Sequence, residues 1–393
     1  MKRPQSALFI SKNGKPSALD ARISNWLANE IDGLREGRYF AVMFLPAKHL
    51  QPHRWTVWGW LVTIFSCSLL VAAAEPVKII MDVDMAEDVD DVGAVATLHA
   101  LANRGEAEIL GFMVSSKNEF VGPCLDAINT WYGRTNLPIG YQRGYQFGYH
   151  NSQDSNRETP SKYAEFVATH FPHRLQRSSD APDAAKLCRR LLAGQPDHSV
   201  TIVSVGFLCN LRDLLNSPPD DASPLAGEAL VKQKVKQWVC MGGIFPGGRF
   251  PDGSGEYNLM WDTVASVRTV NDWPTPVVFS GFEIGGQIKT GSRLRETSGQ
   301  NPVRAGYELY NGLNPRASWD QTAVLFAVRG ARDYWKLSAP GYCLMHAAVP
   351  HGYNQWIASP EGIHRYLVAK KASAEMSRII EGLMIEAPGA NTR

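Results

Sequence analysis

From Val77 onward, short apolar runs alternate with stretches whose apolar residues recur at helical spacing. Residues 77–83 (VKIIMDV) are almost continuously apolar, as expected for a strand buried on both faces. In residues 91–104, Val92, Val95, Leu98 and Leu101 recur at the period of a helix. The same reading predicts strands at 107–116, 137–141, 200–205, 237–241 and 276–280. It predicts helices at 125–132, 184–192, 208–215 and 263–271 between them, and a mainly helical tail over 319–335 and 365–384. Residues 142–180, rich in Tyr, Gly, His, Asn and Ser, read as a surface excursion with one short helical stretch at 163–169.

Strand–helix alternation of this kind implies right-handed crossovers. The expected fold class is α/β, a mostly parallel Rossmann-like sheet with helices on both faces. With no repeat and no linker in sight, residues 75–393 read as one domain.

The strongest break in the pattern lies before that domain. Residues 55–74 carry no charge, are preceded by Lys48, His49, His53 and Arg54, and end in Ala72-Ala73-Ala74. These are the parts of a secretory signal peptide, and an uncleaved membrane anchor is the alternative. Met43 would start a normal basic leader, so residues 43–74 are assigned to the signal and 1–42 to an N-terminal extension without assigned fold. The expected localisation is therefore exported.

Composition narrows the function mainly by exclusion. A net charge of +2 gives no general attraction to nucleic acid, and no basic run is interleaved with aromatics. Beyond Cys67 in the apolar segment, Cys124, Cys188, Cys209, Cys240 and Cys343 are widely spaced with no C-x-x-C pair. They read as buried thiols with at most one or two disulfides, and zinc binding has no support.

Asp82, Asp84, Glu87, Asp88, Asp90 and Asp91 place six carboxylates within ten residues at the end of the first strand. Such crowding makes sense if a cation neutralises it, and hard oxygen donors without phosphate-binding residues lean toward calcium. The plainer alternative is a solvated acidic loop at a helix N-terminus. An EF-hand starting at Asp82 fails, because Glu87 and Gly93 stand where Gly and Glu are needed. A dehalogenase-type phosphatase with nucleophilic Asp82 is weakened by Ala86, two residues after Asp84.

With these residues in view, the chain resembles the inosine-uridine-preferring nucleoside hydrolase family, whose first strand ends in D-x-D-P-G-x-D-D-A. Asp82-Val83-Asp84 and Asp90-Asp91 match it across a spacer longer by two residues, with Ala94 at the helix start. Residues 201–210 (TIVSVGFLCN) are similar to the family's strand ending in G-P-L-T-N, and Met241-Gly242-Gly243 to its M-G-G turn. Glu256-Tyr257-Asn258 with Asp262 resembles E-F-N-x-x-x-D, and Ser318-Trp319-Asp320 stands at the late H-D pair.

The resemblance implies a calcium-dependent hydrolase that cleaves the N-glycosidic bond of a small-molecule ribonucleoside; a homo-oligomer is left open. It assigns Asp84, Asp91, Asp320 and the Cys209 backbone carbonyl to calcium, and Asp90, Glu256 and Asn258 to ribose hydroxyls. Asp84 would also take the proton from the attacking water. Asp82 would sit behind the site, and Asp88, in the spacer, would be exposed. The blander readings are a turn for Glu256 and Asn258, and a helix cap for Asp320.

Two departures stand out. Trp319 replaces the His that protonates the leaving base in many members, so it would stack on the base or serve as a core anchor. The Asn after the second strand could be Ser116 or Asn118. A non-catalytic, calcium-dependent binder of ribosides or sugars is the alternative that the missing His favours.

Overall fold

The computed structural model describes residues 75–144, 159–348 and 352–389. The readings made for residues 1–42 and 43–74, and the stretch 145–158 of the excursion, lie outside the described residues. Among the described residues no helix is long and apolar enough to cross a membrane.

Strand β1 (Val77–Val83) lies between β2 (Ala107–Val114) and β4 (Val200–Ser204), parallel to both. Outward on one side comes β3 (Ile139–Tyr141), and on the other β5 (Val235–Met241) and β6 (Val277–Ser280), also parallel. Two-strand β7 (Lys289–Thr290) and β8 (Arg316–Ala317) pair with each other apart from the main sheet. The order β3-β2-β1-β4-β5-β6 reverses direction between β1 and β4, the switch point where open α/β sheets bind ligands at strand carboxyl ends.

Alternation along β1 decides which layer each residue joins. Ile79, Met81 and Val83 enter one buried cluster with the helices Asp90–Asn103, Val121–Trp131, Trp319–Arg329 and Ser373–Met384. Ile80 faces the opposite cluster, built on Ala184–Ala193, Cys209–Asn216, Gly227–Lys234 and Thr263–Asp272. Each fully buried aliphatic chain contributes about 1.5–3 kcal/mol, which anchors the strand ends that carry the acidic residues. Cys124, Cys188, Cys209, Cys240 and Cys343 are free, buried thiols.

The predicted helical tail is only partly correct. The helix beginning at Trp319 ends at Arg329, where Gly330 turns to positive φ, and Trp335–Leu337 forms β9 instead. Gly341–His346 (β10) and Tyr353–Ala358 (β11) make an antiparallel edge. His364–Ala369 is β12, parallel to β6, and the last helix starts only at Ser373. In β10 burial alternates along the strand, so one face packs and the other meets solvent.

Candidate active site

Asp82 and Asp84 leave β1 at the switch point, with different surroundings. Asp82 is fully buried, its Oδ1 accepting a hydrogen bond from Asn210 Nδ2 at 3.0 Å, and burial pushes its carboxyl up to about 8. It does not line the cavity above the sheet. The nucleophile of a phosphatase must touch its substrate, so that alternative is set aside.

Asp84 lines a cavity of about 350 Å³, within the size range of small-molecule pockets. Its place depends on Gly206 just beyond β4, where a Cβ would lie 2.4 Å from the Asp84 Cβ.

Asp90 and Asp91 open the helix Asp90–Asn103, and both are buried. Asp91 Oδ1 accepts the Asp84 amide at 3.1 Å. Asp90 Oδ2 accepts the amides of Trp319 and Asp320 at 3.2 and 3.3 Å. Close packing permits this: a Cβ on Gly93 would lie 2.4 Å from both Gln321 Nε2 and the Tyr307 hydroxyl. One carboxylate oxygen each from Asp90, Asp91 and Asp320 falls within 4.8 Å of the others.

Burial raises the carboxyls of Asp84, Asp90, Asp91 and Asp320 well above their usual range, and repulsion from neighbouring carboxylates, Asp88 among them, adds to it. A solvated acidic loop would keep its carboxylates in water. Here Asp90, Asp91 and Asp320 are buried together with Asp84 half-buried beside them, and such a set of hard oxygen donors fits calcium or magnesium. Asp320 lies in the first turn of its helix, whose cap position is Ser318.

Glu256 and Asn258 reach the same cavity from the turn after β5. Glu256 caps the helix Tyr257–Trp261: its Oε1 accepts the Asn258 amide at 3.0 Å, and Oε2 accepts Gly243 at 3.1 Å. Burial pushes Glu256 up to about 7. Asn258 Nδ2 donates to Val205 O at 2.8 Å and Met241 O at 3.3 Å, bridging the ends of β4 and β5. Both residues hold turns and still border the cavity.

Cys209 opens its helix as a buried thiol donating to Ser115 O at 3.6 Å, and its side chain is not part of the cavity wall. Trp319 is half-buried on that wall, its Nε1 donating to Phe282 O at 2.9 Å and its ring 5.1 Å from the Phe282 ring. It is both an anchor and a flat wall.

Asp88 departs from its reading as an exposed spacer residue. It is partly buried, borders the cavity and pairs with Arg316 through Nε at 3.0 Å and through Nη2. Tyr163, from the excursion, donates to Asp88 O at 2.6 Å and so backs the wall from behind.

Ser116 donates to Met85 O at 2.9 Å and Asn118 to Thr159 O at 2.7 Å; neither lines the cavity. Sequence reasoning missed Arg316, Tyr310, Phe282 and Phe207 on the wall. Phe207 lies inside the 201–210 block but departs from its pattern, and Arg316, Tyr310 and Phe282 are lone residues brought in by tertiary packing.

Comparison with known proteins follows this geometry. The profile described as inosine-uridine preferring nucleoside hydrolase matches residues 79–328. No curated protein matches the chain. Among solved structures, the inosine-uridine preferring nucleoside hydrolase from Bacillus anthracis is 18% identical, with a TM-score of 0.57, over 78% of this chain and 98% of that one. A purine-preferring ribonucleoside hydrolase from Gardnerella vaginalis is 16% identical, with a TM-score of 0.57, over 78% and 99%. The type III effector protein XopQ complexed with adenosine diphosphate ribose is 14% identical, with a TM-score of 0.54, over 79% and 94%. At these identities the structural likeness bears on the fold.

Proposed function

This chain belongs to the inosine-uridine preferring nucleoside hydrolase family, hydrolases that act on N-glycosyl bonds, and from that premise we propose a calcium-dependent ribonucleoside hydrolase. The observation that carries the reading is the buried meeting of Asp90, Asp91 and Asp320 at the switch point, beside Asp84. Asp91 and Asp320 would hold calcium, with Asp84 and the Cys209 carbonyl completing the set. Asp90 Oδ2 is taken by two backbone amides, which leaves Oδ1 for the ribose diol beside Glu256 and Asn258. When bound, calcium offsets the crowded negative charge and acts as a Lewis acid toward water and diol.

The chain's own residues supply the rest. Water oxygen bonds to ribose C1′ as the C1′–N bond breaks, and that bond's electron pair leaves with the base. Asp84 takes the water's proton, a role that typically contributes roughly 10²–10⁴-fold. The acidic floor favours the positive charge that develops on the ribose ring. Trp319 offers a flat face to the base. The products, free base and ribose, would serve purine or pyrimidine salvage.

Export through residues 43–74 belongs to the same proposal. N-terminal sequencing of exported protein beginning at Glu75 would support it, and protein retained with residue 43 onward would oppose it.

The full-length protein incubated with mixed ribonucleosides and calcium, with free bases resolved by chromatography, tests the activity. Base release abolished by chelator and by Asp84→Asn supports it. A second reading, a calcium-dependent riboside binder, is favoured by Trp319 at the acid's position. Riboside binding with calcium but no base release would select that reading instead.

A further inference from the structure

Among the described residues that line the cavity, Arg316 is the one cation. It stands three positions before Trp319, its guanidinium carbon 5.1 Å from the Trp319 ring centroid and 5.7 Å from that of Tyr310. Nε and Nη2 are forked onto Asp88. Asp88 is itself fixed, since its backbone carbonyl receives the Tyr163 hydroxyl and its Oδ1 receives the Val89 amide at 2.7 Å. The fork leaves the two N–H groups of Nη1 without a protein partner among the described residues, on a side chain that borders the cavity.

We propose that Arg316 receives the departing base as a fixed hydrogen-bond donor and positive charge, in place of a proton donor at position 319. The inference rests on the hydrolase reading above. The acidic floor suits a cationic ribose ring but opposes a base that leaves carrying the electron pair of its broken bond. One cation on the wall answers that conflict. Trp319 cannot give a proton, and an arginine paired with a carboxylate does not give one either.

Arg316 therefore acts by charge and hydrogen bonding. The C1′–N electron pair moves onto the base, where Nη1 hydrogen bonds stabilise it at an oxygen or ring-nitrogen acceptor. Water's hydroxyl goes to C1′ and its proton to Asp84. The base is protonated from solvent after the bond has broken, and no reactant besides water is needed. The Asp88 fork keeps the guanidinium from collapsing onto the acidic floor.

The test compares leaving groups in the full-length protein with calcium. Inosine needs its base stabilised on departure, whereas 4-nitrophenyl ribofuranoside releases 4-nitrophenolate, an already stable anion. Arg316→Ala and Arg316→Gln are each expected to lower the inosine to nitrophenyl ratio of kcat/KM by about 10²–10³-fold, as for loss of a transition-state donor. Arg316→Lys should fall between them and the parent, because charge remains and the fork is lost.

Circular-dichroism melts identify any variant that fails to fold. Ratios unchanged in both neutral variants, with the two substrates falling in step, would show a structural role and overturn the proposal. Parent protein that cleaves only the nitrophenyl substrate would overturn it too, since no stabilised base departs. Parent protein that cleaves neither would sink the hydrolase reading itself, and the Arg316 assignment with it.

Discussion

Asp90 Oδ2 accepts the backbone amide of Asp320 at 3.3 Å, joining two helix starts that lie 230 positions apart in the chain. Asp320 is brought into the acidic cluster by this tie and by the close packing at Gly93. Asp90→Ala should therefore weaken calcium binding by about 10–100-fold, the usual effect of losing a group that orients a ligand. Asp320→Ala should weaken it further. Isothermal titration with calcium measures both, and equal affinities in parent and variants would remove the metal from this cluster.

Asp84→Asn should lower base release by roughly 10²–10⁴-fold while leaving the fold intact, because an amide cannot accept the water's proton. Gly206→Ala should lower it as well, by a different route. Its new Cβ would stand 2.4 Å from the Asp84 Cβ, so the carboxylate must shift, and angstrom-scale displacement can cost about 10²-fold. Rates and thermal melts on both variants check this. Full activity in Gly206→Ala would show that Asp84 does not need its observed position.

Glu256 combines capping with a place on the cavity wall. Glu256→Ala removes the acceptor of the Asn258 and Gly243 amides, which should cost about 0.5–2 kcal/mol of stability. It should also raise KM, because Asn258 is held by the same turn. Glu256→Gln keeps an acceptor and should recover most of the stability but less of the affinity. Urea melts and steady-state kinetics separate the two effects.

The parallel part of the fold was legible because its signals are local. In β1 the run is almost continuously apolar, and helix-spaced residues follow at Val92, Val95, Leu98 and Leu101. Asp90, Asp91, Glu256 and Asp320 could be picked out because each sits in a short motif, and the structure brings them to one cavity. The Arg316–Asp88 pair could not, since it spans 228 positions and Arg316 stands in no motif, while Asp88 read only as a spacer residue of the acidic cluster. Residues 365–369 were misread as helix because their partner strands, β6 and β9, are set by tertiary pairing. Context outside the segment decided its state.

The acidic site also fixes how stability should vary with pH. Burial raises Glu256 from 4.5 to about 7 and Asp82 from 3.8 to about 8, and raises the four cavity aspartates. The folded state then binds more protons than the unfolded chain across that interval, so unfolding free energy declines as pH rises. The contribution is full below the unfolded values and is lost as pH passes the folded ones. In chelator, the melting temperature should therefore fall between about pH 4.5 and 8. Calcium binds the ionised aspartates of the folded state and should raise the melting temperature most at the alkaline end of that range. Differential scanning calorimetry with and without calcium checks both slopes. A chelated protein whose melting temperature climbs steadily from about pH 5 to 8 would mean that these carboxylates are not crowded and buried in the apo-protein.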